Sequence, residues 1–256
     1  SSEKITGAMK MISSAKVHKF ENALKQLLPY RNQIKSIMGH LLDADGNYSS
    51  PLIEERGEVH AVSIVVFGSD DGLCGAYNIN IFKQVLILIN QLRDKYGNSL
   101  RITLFPVGKR MAKACAKIAH DNISIEVPES VNSKMLPAVV NQFTLSLQQA
   151  YIDARFDEVH VVYMNFISLS RQRVAHEKLF PVQASELTGN EARANANKPY
   201  IFEPDANRIF NEILPMFVLS TMQELTIQNQ ASEQAARIMA MQSANDNAKK
   251  LLDSLQ

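Results

Sequence analysis

Two stretches that scarcely interrupt a helix bracket this chain, and their length limits the fold more than anything else in it. Residues 3–42 contain one proline, Pro29; residues 206–256 contain one proline, Pro215, and no glycine. At 1.5 Å per residue, helices of that size span about 60 Å and 75 Å. A compact domain of about 150 residues is only about 30–40 Å across. The two helices therefore cannot both lie against the middle of the chain; they must pair with each other and project. One sits near each end of the sequence, so a middle domain that joins their inner ends makes the pairing antiparallel.

Apolar or small residues at Ile5, Ala8, Ile12 and Ala15, then at Phe20, Ala23, Leu27, Tyr30, Ile34, Ile37 and Leu41, recur in steps of three and four, the seam of a coiled coil. The five-residue step from Ala15 to Phe20 breaks register, and Pro29 is expected to bend the helix or break a turn. Ala235, Ile238, Met241, Ala244, Ala248, Leu251 and Leu255 form the matching late seam. So thin a seam on a projecting rod predicts a partner around it. The whole chain is nearly neutral, with 27 basic and 26 acidic residues, yet residues 1–42 carry Lys4, Lys10, Lys16, Lys19, Lys25, Arg31 and Lys35 against only Glu3 and Glu21. That bias reads either as a solvated helix face or as a basic arm for an acidic partner.

Between the helices, residues 57–185 alternate strand and helix. Strands are expected at VHAVSIVVF, LRITLFPV, NISIEV, EVHVVYMNF and RVAHEKLFPV, and helices at residues 78–96, 109–120 and 134–155. Alternating βα units imply a mostly parallel sheet covered by helices. The polar segment 186–199 then leads back to the terminal helix. The fold class is thus α/β, with three parts: an N-terminal coil helix at 1–43, the α/β domain at 57–185 and a C-terminal coil helix at 206–256. The longest apolar runs, residues 61–67 and 85–89, are far shorter than the 20 or so residues that span a bilayer, and no signal peptide is visible, so a soluble chain is expected. The sequence opens inside what already reads as a helix, so a longer natural N-terminus is expected.

The loop GSDDGLCGAYN, residues 68–78, follows the first strand and asks whether the middle domain holds a nucleotide. Gly68, Gly72 and Gly75 are spaced four and three apart, which matches neither the dinucleotide fingerprint nor the phosphate loop. Asp70 and Asp71 place negative charge where an anion would sit, and no lysine follows Gly75. Glycine in a tight strand-to-helix turn needs no ligand. Six scattered histidines, two cysteines (Cys74 and Cys115) and the absence of a G-x-S-x-G elbow give no catalytic or metal constellation. Cys74 is expected as a buried structural thiol. No cofactor, metal or catalytic residue is expected, and nothing suggests nucleic acid. The stretch PYIFEPD, residues 199–205, reads as a stiff turn with Asp205 as helix N-cap, or as an exposed aromatic and carboxylate docking contact.

Three blocks together, KITGAMKMISSAK (residues 4–16), SDDGLCGAYN (69–78) and ASEQAARIMAMQSANDNAKKLLDSL (231–255), resemble the γ subunit family of F-type ATP synthases, in the right order over nearly the whole chain. The resemblance implies a central rotor stalk: a coil inside the α and β hexamer, and a Rossmann-like α/β domain with a mostly parallel five-stranded sheet that binds no nucleotide. The implied role is non-catalytic, coupling rotation of the membrane c ring to ATP synthesis or hydrolysis at the hexamer. Implied partners are the α and β subunits, the ε subunit and the c ring, at the cytoplasmic face of a bacterial inner membrane, with the mitochondrial matrix face as the alternative and no transmembrane segment of the chain's own. By the same resemblance, Met9 and Lys10 stand where the coil passes the β-subunit levers, and Gln234 and Arg237 in the block that packs against that helix. Tyr200, Phe202 and Glu203 match the turn that meets the c ring, with Phe202 in place of a second tyrosine. Asp71 stands where the family commonly has arginine, so a salt bridge is expected to be lost or rearranged. The family's first turns and final helical stretch have no counterpart here. A nucleotide-dependent α/β enzyme with helical extensions is the alternative, and it requires nucleotide bound by the isolated chain.

Overall fold

The computed structural model describes residues 2–43, 48–187 and 205–255. Helix α1 (Ser2–Asp43) and helix α6 (Ala206–Leu255) are both continuous, with Pro29 and Pro215 inside them. Pro29 therefore breaks no turn; a helix spans the missing amide of one proline when its neighbours keep their own bonds. Lys10 donates to Gln242 and Arg31 to Ser220 and Thr221, so residue numbers rise along one helix as they fall along the other, and the pair is antiparallel. Asp205 caps α6, its Oδ1 accepting the Arg208 amide at 3.2 Å.

The seam differs from the apolar pattern. Buried or half-buried positions of α1 include Thr6, Lys10, Ser13, Val17, Phe20, Leu24, Leu27, Arg31, Ile34, Met38 and Leu41, which alternate steps of four and three with no break. Polar side chains occupy several of these places. Arg31 is buried against α6, bonded to Ser220 Oγ and Thr221 Oγ1 at 3.0 Å each and to Glu224 at 2.9 Å, so it belongs to the coil rather than to a free basic arm. The expected seam residues Ala8, Ala15 and Tyr30 lie exposed, as do Ile5 at 63% and Ile12 at 56%. On α6, Ala235 and Met241 are buried as expected, whereas Ala244, Ala248, Leu251 and Leu255 are exposed. The coil thus carries an apolar stripe that its own partner helix does not cover.

Strands β1 (Ala61–Phe67), β2 (Arg101–Val107), β3 (Ile123–Ile125), β4 (Glu158–Ser168) and β5 (Arg171–Phe180) form one sheet of order β3-β2-β1-β4-β5. All neighbours are parallel except β4 and β5. Helices α2 (Tyr77–Tyr96) and α3 (Lys109–Ala116) cover one face through Ile81, Val85, Leu88 and Met111. Helix α4 (Pro137–Ile152) and the lower halves of α1 and α6 cover the other, where Met38, Leu41, Phe210, Leu214 and Phe217 share a core with Val65, Phe105, Phe143 and Tyr163. Central β1 is buried along its whole length, which is why AVSIVVF, Ser63 apart, reads as an apolar run and not as an alternation. A short helix α5 (Ala184–Leu187) follows β5. α3 stops at Ala116, short of the expected His120, and α4 begins at Pro137 rather than at residue 134, since proline suits the first helical position.

A hydrogen-bonded chain crosses the β4–β5 edge. Tyr96 donates to Glu158, Glu158 Oε1 lies 2.7 Å from His160 Nε2, and His160 Nδ1 lies 2.8 Å from His176 Nε2. Burial, then the neighbouring His160 and Lys178, push His176 from its ordinary 6.5 down to about 4. A depressed basic group binds its proton more readily in the unfolded chain, so it costs stability as pH falls from 6.5 towards 4. We expect His176→Gln to flatten the fall of the urea midpoint between neutral pH and the lower end of that window. An unchanged slope would show that other groups carry the acid loss.

Candidate functional site

In an open sheet of this order, a ligand sits outside the carboxyl ends of the strands where the winding reverses, here between β1 and β4. That crevice is filled by the chain's own α6. Asn229, buried to 2%, accepts the Met164 amide at 3.1 Å, Gln228 Oε1 accepts the Phe166 amide at 2.8 Å, and Ser232 donates to the Met164 carbonyl at 3.2 Å. Further along, Arg237 donates to the carbonyls of Gly72 at 3.1 Å and Asp71 at 3.3 Å, and pairs with Glu233 at 2.9 Å. Both side chains of that pair are buried, and burial lifts the Glu233 carboxyl above its usual range despite Arg237.

The glycine loop is spent on internal bonds. Asn78 accepts the Ser69 amide at 2.9 Å, and Asp70 accepts the amides of Lys109 and Ser133 at 2.9 Å each and the Ser133 hydroxyl at 2.7 Å. Burial opposes ionisation of Asp70, but the hydrogen bonds from Ser133 and Lys109 outweigh it and hold the carboxyl below its usual range. Asp70 thus pins the loop to α3 and to the segment before α4. Asp71 makes an exposed ion pair with Lys134 at 3.0 Å, so its charge is matched within the domain. Cys74 is buried, as expected of a structural thiol. A Cβ on Gly68 would lie 2.4 Å from Met111 Cβ, so that glycine serves close packing of α3 on the sheet. Among the described residues no group of three or more His, Cys, Asp or Glu is placed to hold a metal.

Beside this loop, a cleft of about 580 Å³ opens between the coil and the α/β domain. It is lined from α1 by Met9, Ile12, Ser13 and Lys16, from the loop by Asp71, Gly72 and Leu73, from α3 by Arg110, and from α6 by Gln234 and Arg237. Three of the residues singled out in the sequence, Met9, Gln234 and Arg237, therefore meet in one place. Lys10 points along the coil to Gln242. Arg237 turns inward onto the loop carbonyls and not onto α1, because its own-helix partner Glu233 orients it there. Tyr200, Phe202 and Glu203 lie outside the described residues. Leu73 escaped sequence reasoning: it sits at φ 60° and is 65% exposed, an apolar side chain held outward at the rim of the cleft. Glu233 was missed as well, although its spacing of four from Arg237 is a readable ion-pair signal.

The whole chain, residues 1–256, matches the sequence model of a family described as ATP synthase. A relative from Bacteroides fragilis, named ATP synthase gamma chain, is 32% identical over 259 residues, covering 100% of this chain and 86% of the relative. One of the same name from Parabacteroides distasonis is 32% identical over 257 residues, covering 100% and 85%. Among solved structures, a chain of the Tetrahymena thermophila mitochondrial ATP synthase central stalk and c ring superposes with a TM-score of 0.61 at 21% identity, covering 94% of this chain and 99% of that one, a likeness of fold. With a long antiparallel coil, a sheet crevice closed by its own helix and relatives aligned over the whole of this chain, the chain belongs to the ATP synthase gamma-chain family.

Proposed function

We propose that the chain is the central rotor shaft of an F-type ATP synthase and performs no chemistry itself. The coil turns within the α and β hexamer, and its asymmetric surface offers each β subunit a different contact at each angle. That difference shifts every catalytic site among its conformations in turn. The observation that carries this reading is the apolar stripe of Ile5, Ala8, Ile12 and Ala15, left exposed while Ser13, Val17 and Phe20 on the other side of α1 are buried or half-buried. Met9 and the cleft beside it face acidic levers of the β subunits, with Lys10 reaching them past its bond to Gln242, and Gln234 and Arg237 line the same cleft from α6. Long-range attraction between lysines and carboxylates adds grip without fixing one angle.

The α/β domain at 57–185 stands at the foot with the ε subunit, and Tyr200, Phe202 and Glu203 meet the c ring, at the cytoplasmic face of a bacterial inner membrane. No described helix is long and apolar enough to cross a membrane. The Asp70 carboxylate, spent on the Lys109 and Ser133 amides, and the bonding of α6 to β4 beside the β1–β4 crevice support a nucleotide-free domain. Mixing the chain with cognate α and β subunits should give a stable complex on size exclusion that hydrolyses ATP, while the isolated chain retains no labelled ATP or ADP. Nucleotide bound by the isolated chain, or no complex with the hexamer, would sink this reading.

A further inference from the structure

Strand β4 outruns its neighbour. Its parallel pairing with β1 ends at Val162, opposite Val66, yet β4 continues to Ser168. Beyond that point Met164 and Phe166, two residues apart and so turned to the same side, have no strand to bond there. Their buried or half-buried main-chain groups need partners, and α6 supplies them from one helical face: Asn229 and Gln228 accept the two amides, and Ser232 donates to the Met164 carbonyl. A helix thus takes the place of the missing strand, through three directional bonds within five residues.

We infer that Gln228, Asn229 and Ser232 form the torque joint between the coil and the α/β domain, the seam that stops the shaft from twisting against its foot. The inference rests on the rotor reading. Apolar packing, which supplies most of the contact between α6 and the sheet, is non-directional and lets surfaces slide with little restoring force. Hydrogen bonds weaken steeply as they bend and so resist rotation. The three side chains are positioning residues: they touch no catalytic site, and they set how stiffly rotation at one end appears at the other.

The test fixes the hexamer of a reconstituted complex to a surface, attaches a rotational probe to the α/β domain and reads the width of its thermal angular fluctuation while the catalytic sites are held by nucleotide. Asn229→Leu with Gln228→Met removes two of the three bonds to β4 and leaves those that Gln223, Gln230 and Arg237 make to the rest of the domain, so the angular variance should rise by about a quarter or more. Gln228→Met alone should give a smaller rise. Gln228→Glu keeps an acceptor at a half-exposed position and should restore the wild-type width, a rescue that lost packing would not give. Should the double variant fail to assemble, the Gln228 pair still decides. Wild-type variance in an assembled Gln228→Met complex, or equal softening by Gln228→Met and Gln228→Glu, overturns the joint. A wild-type complex whose probe never rotates with ATP instead overturns the rotor reading.

Discussion

Replacing Arg237 with methionine should remove about 3–5 kcal/mol of folding stability, the usual cost of leaving one member of a buried ion pair alone. The Arg237 side chain is 8% exposed and that of Glu233 5%, so water cannot compensate the carboxylate. The carbonyls of Gly72 and Asp71 lose their donor in the same step. Asp70 and Asp71 already push the Glu233 carboxyl in the same direction as burial, upwards. Without Arg237 the carboxyl takes up a proton in the folded chain. A raised carboxyl contributes stability at low pH that is lost as pH rises from its ordinary 4.5 through its folded value. The loss should therefore be larger at pH 8 than at pH 5 in guanidinium titrations. Adding Glu233→Gln to Arg237→Met should recover part of it, because no charge is then stranded. A loss below about 1 kcal/mol, independent of pH, would show that water reaches this pair as it reaches a surface one.

Gly108→Ala should be nearly as damaging, at about 3 kcal/mol or more from backbone strain and overpacking together. Gly108 holds φ 115° and ψ 142°, a region that residues with a Cβ avoid. An added Cβ would lie 2.6 Å from both the carbonyl carbon and the oxygen of Ser69. Those atoms cannot step aside freely, since the Ser69 oxygen accepts the Arg110 amide at 3.0 Å and the adjoining Asp70 accepts that of Lys109. Relief by moving α3 would break both bonds. Gly7→Ala is the control: it lies inside α1 with open space around it and should stabilise by about 0.5–1 kcal/mol. Thermal melts of the two variants should move in opposite directions. A Gly108→Ala chain that melts with the wild type would mean that the contact between the glycine loop and the α3 turn is soft.

Much of this architecture was legible because length and period are local properties. Helices too long for a small domain, five strands, and three glycines in the wrong spacing for phosphate could all be read without coordinates. The coil register was not, because its seam carries Lys10, Ser13 and Arg31, and an apolar template passes over a buried arginine that finds its partners, Ser220, Thr221 and Glu224, on the other helix. The cleft was half legible: Met9, Gln234 and Arg237 came from the resemblance, but the inward turn of Arg237 depends on main-chain oxygens some 165 residues away in sequence. The bonds from Gln228, Asn229 and Ser232 to β4 left no trace in the sequence. Side chain to main chain contacts impose no residue type on the partner, so only the fold shows where a strand runs past its neighbour.

The antiparallel coil also sets an order of events on the ribosome. Helix α1 is synthesised before the helix that covers its seam, which comes only after every strand of the sheet, with 162 residues between Asp43 and Ala206. At about 5–20 residues per second, α1 waits roughly 8–30 s for its mate. Isolated helices hold together weakly in water, so through that interval the upper part of α1, beyond the Ile34, Met38 and Leu41 that reach the sheet core, is a basic, apolar-striped segment without its mate. The nascent protein thus passes through a stage open to chaperones and proteases, and its yield in the cell depends on how quickly the fifty residues of α6 follow the sheet.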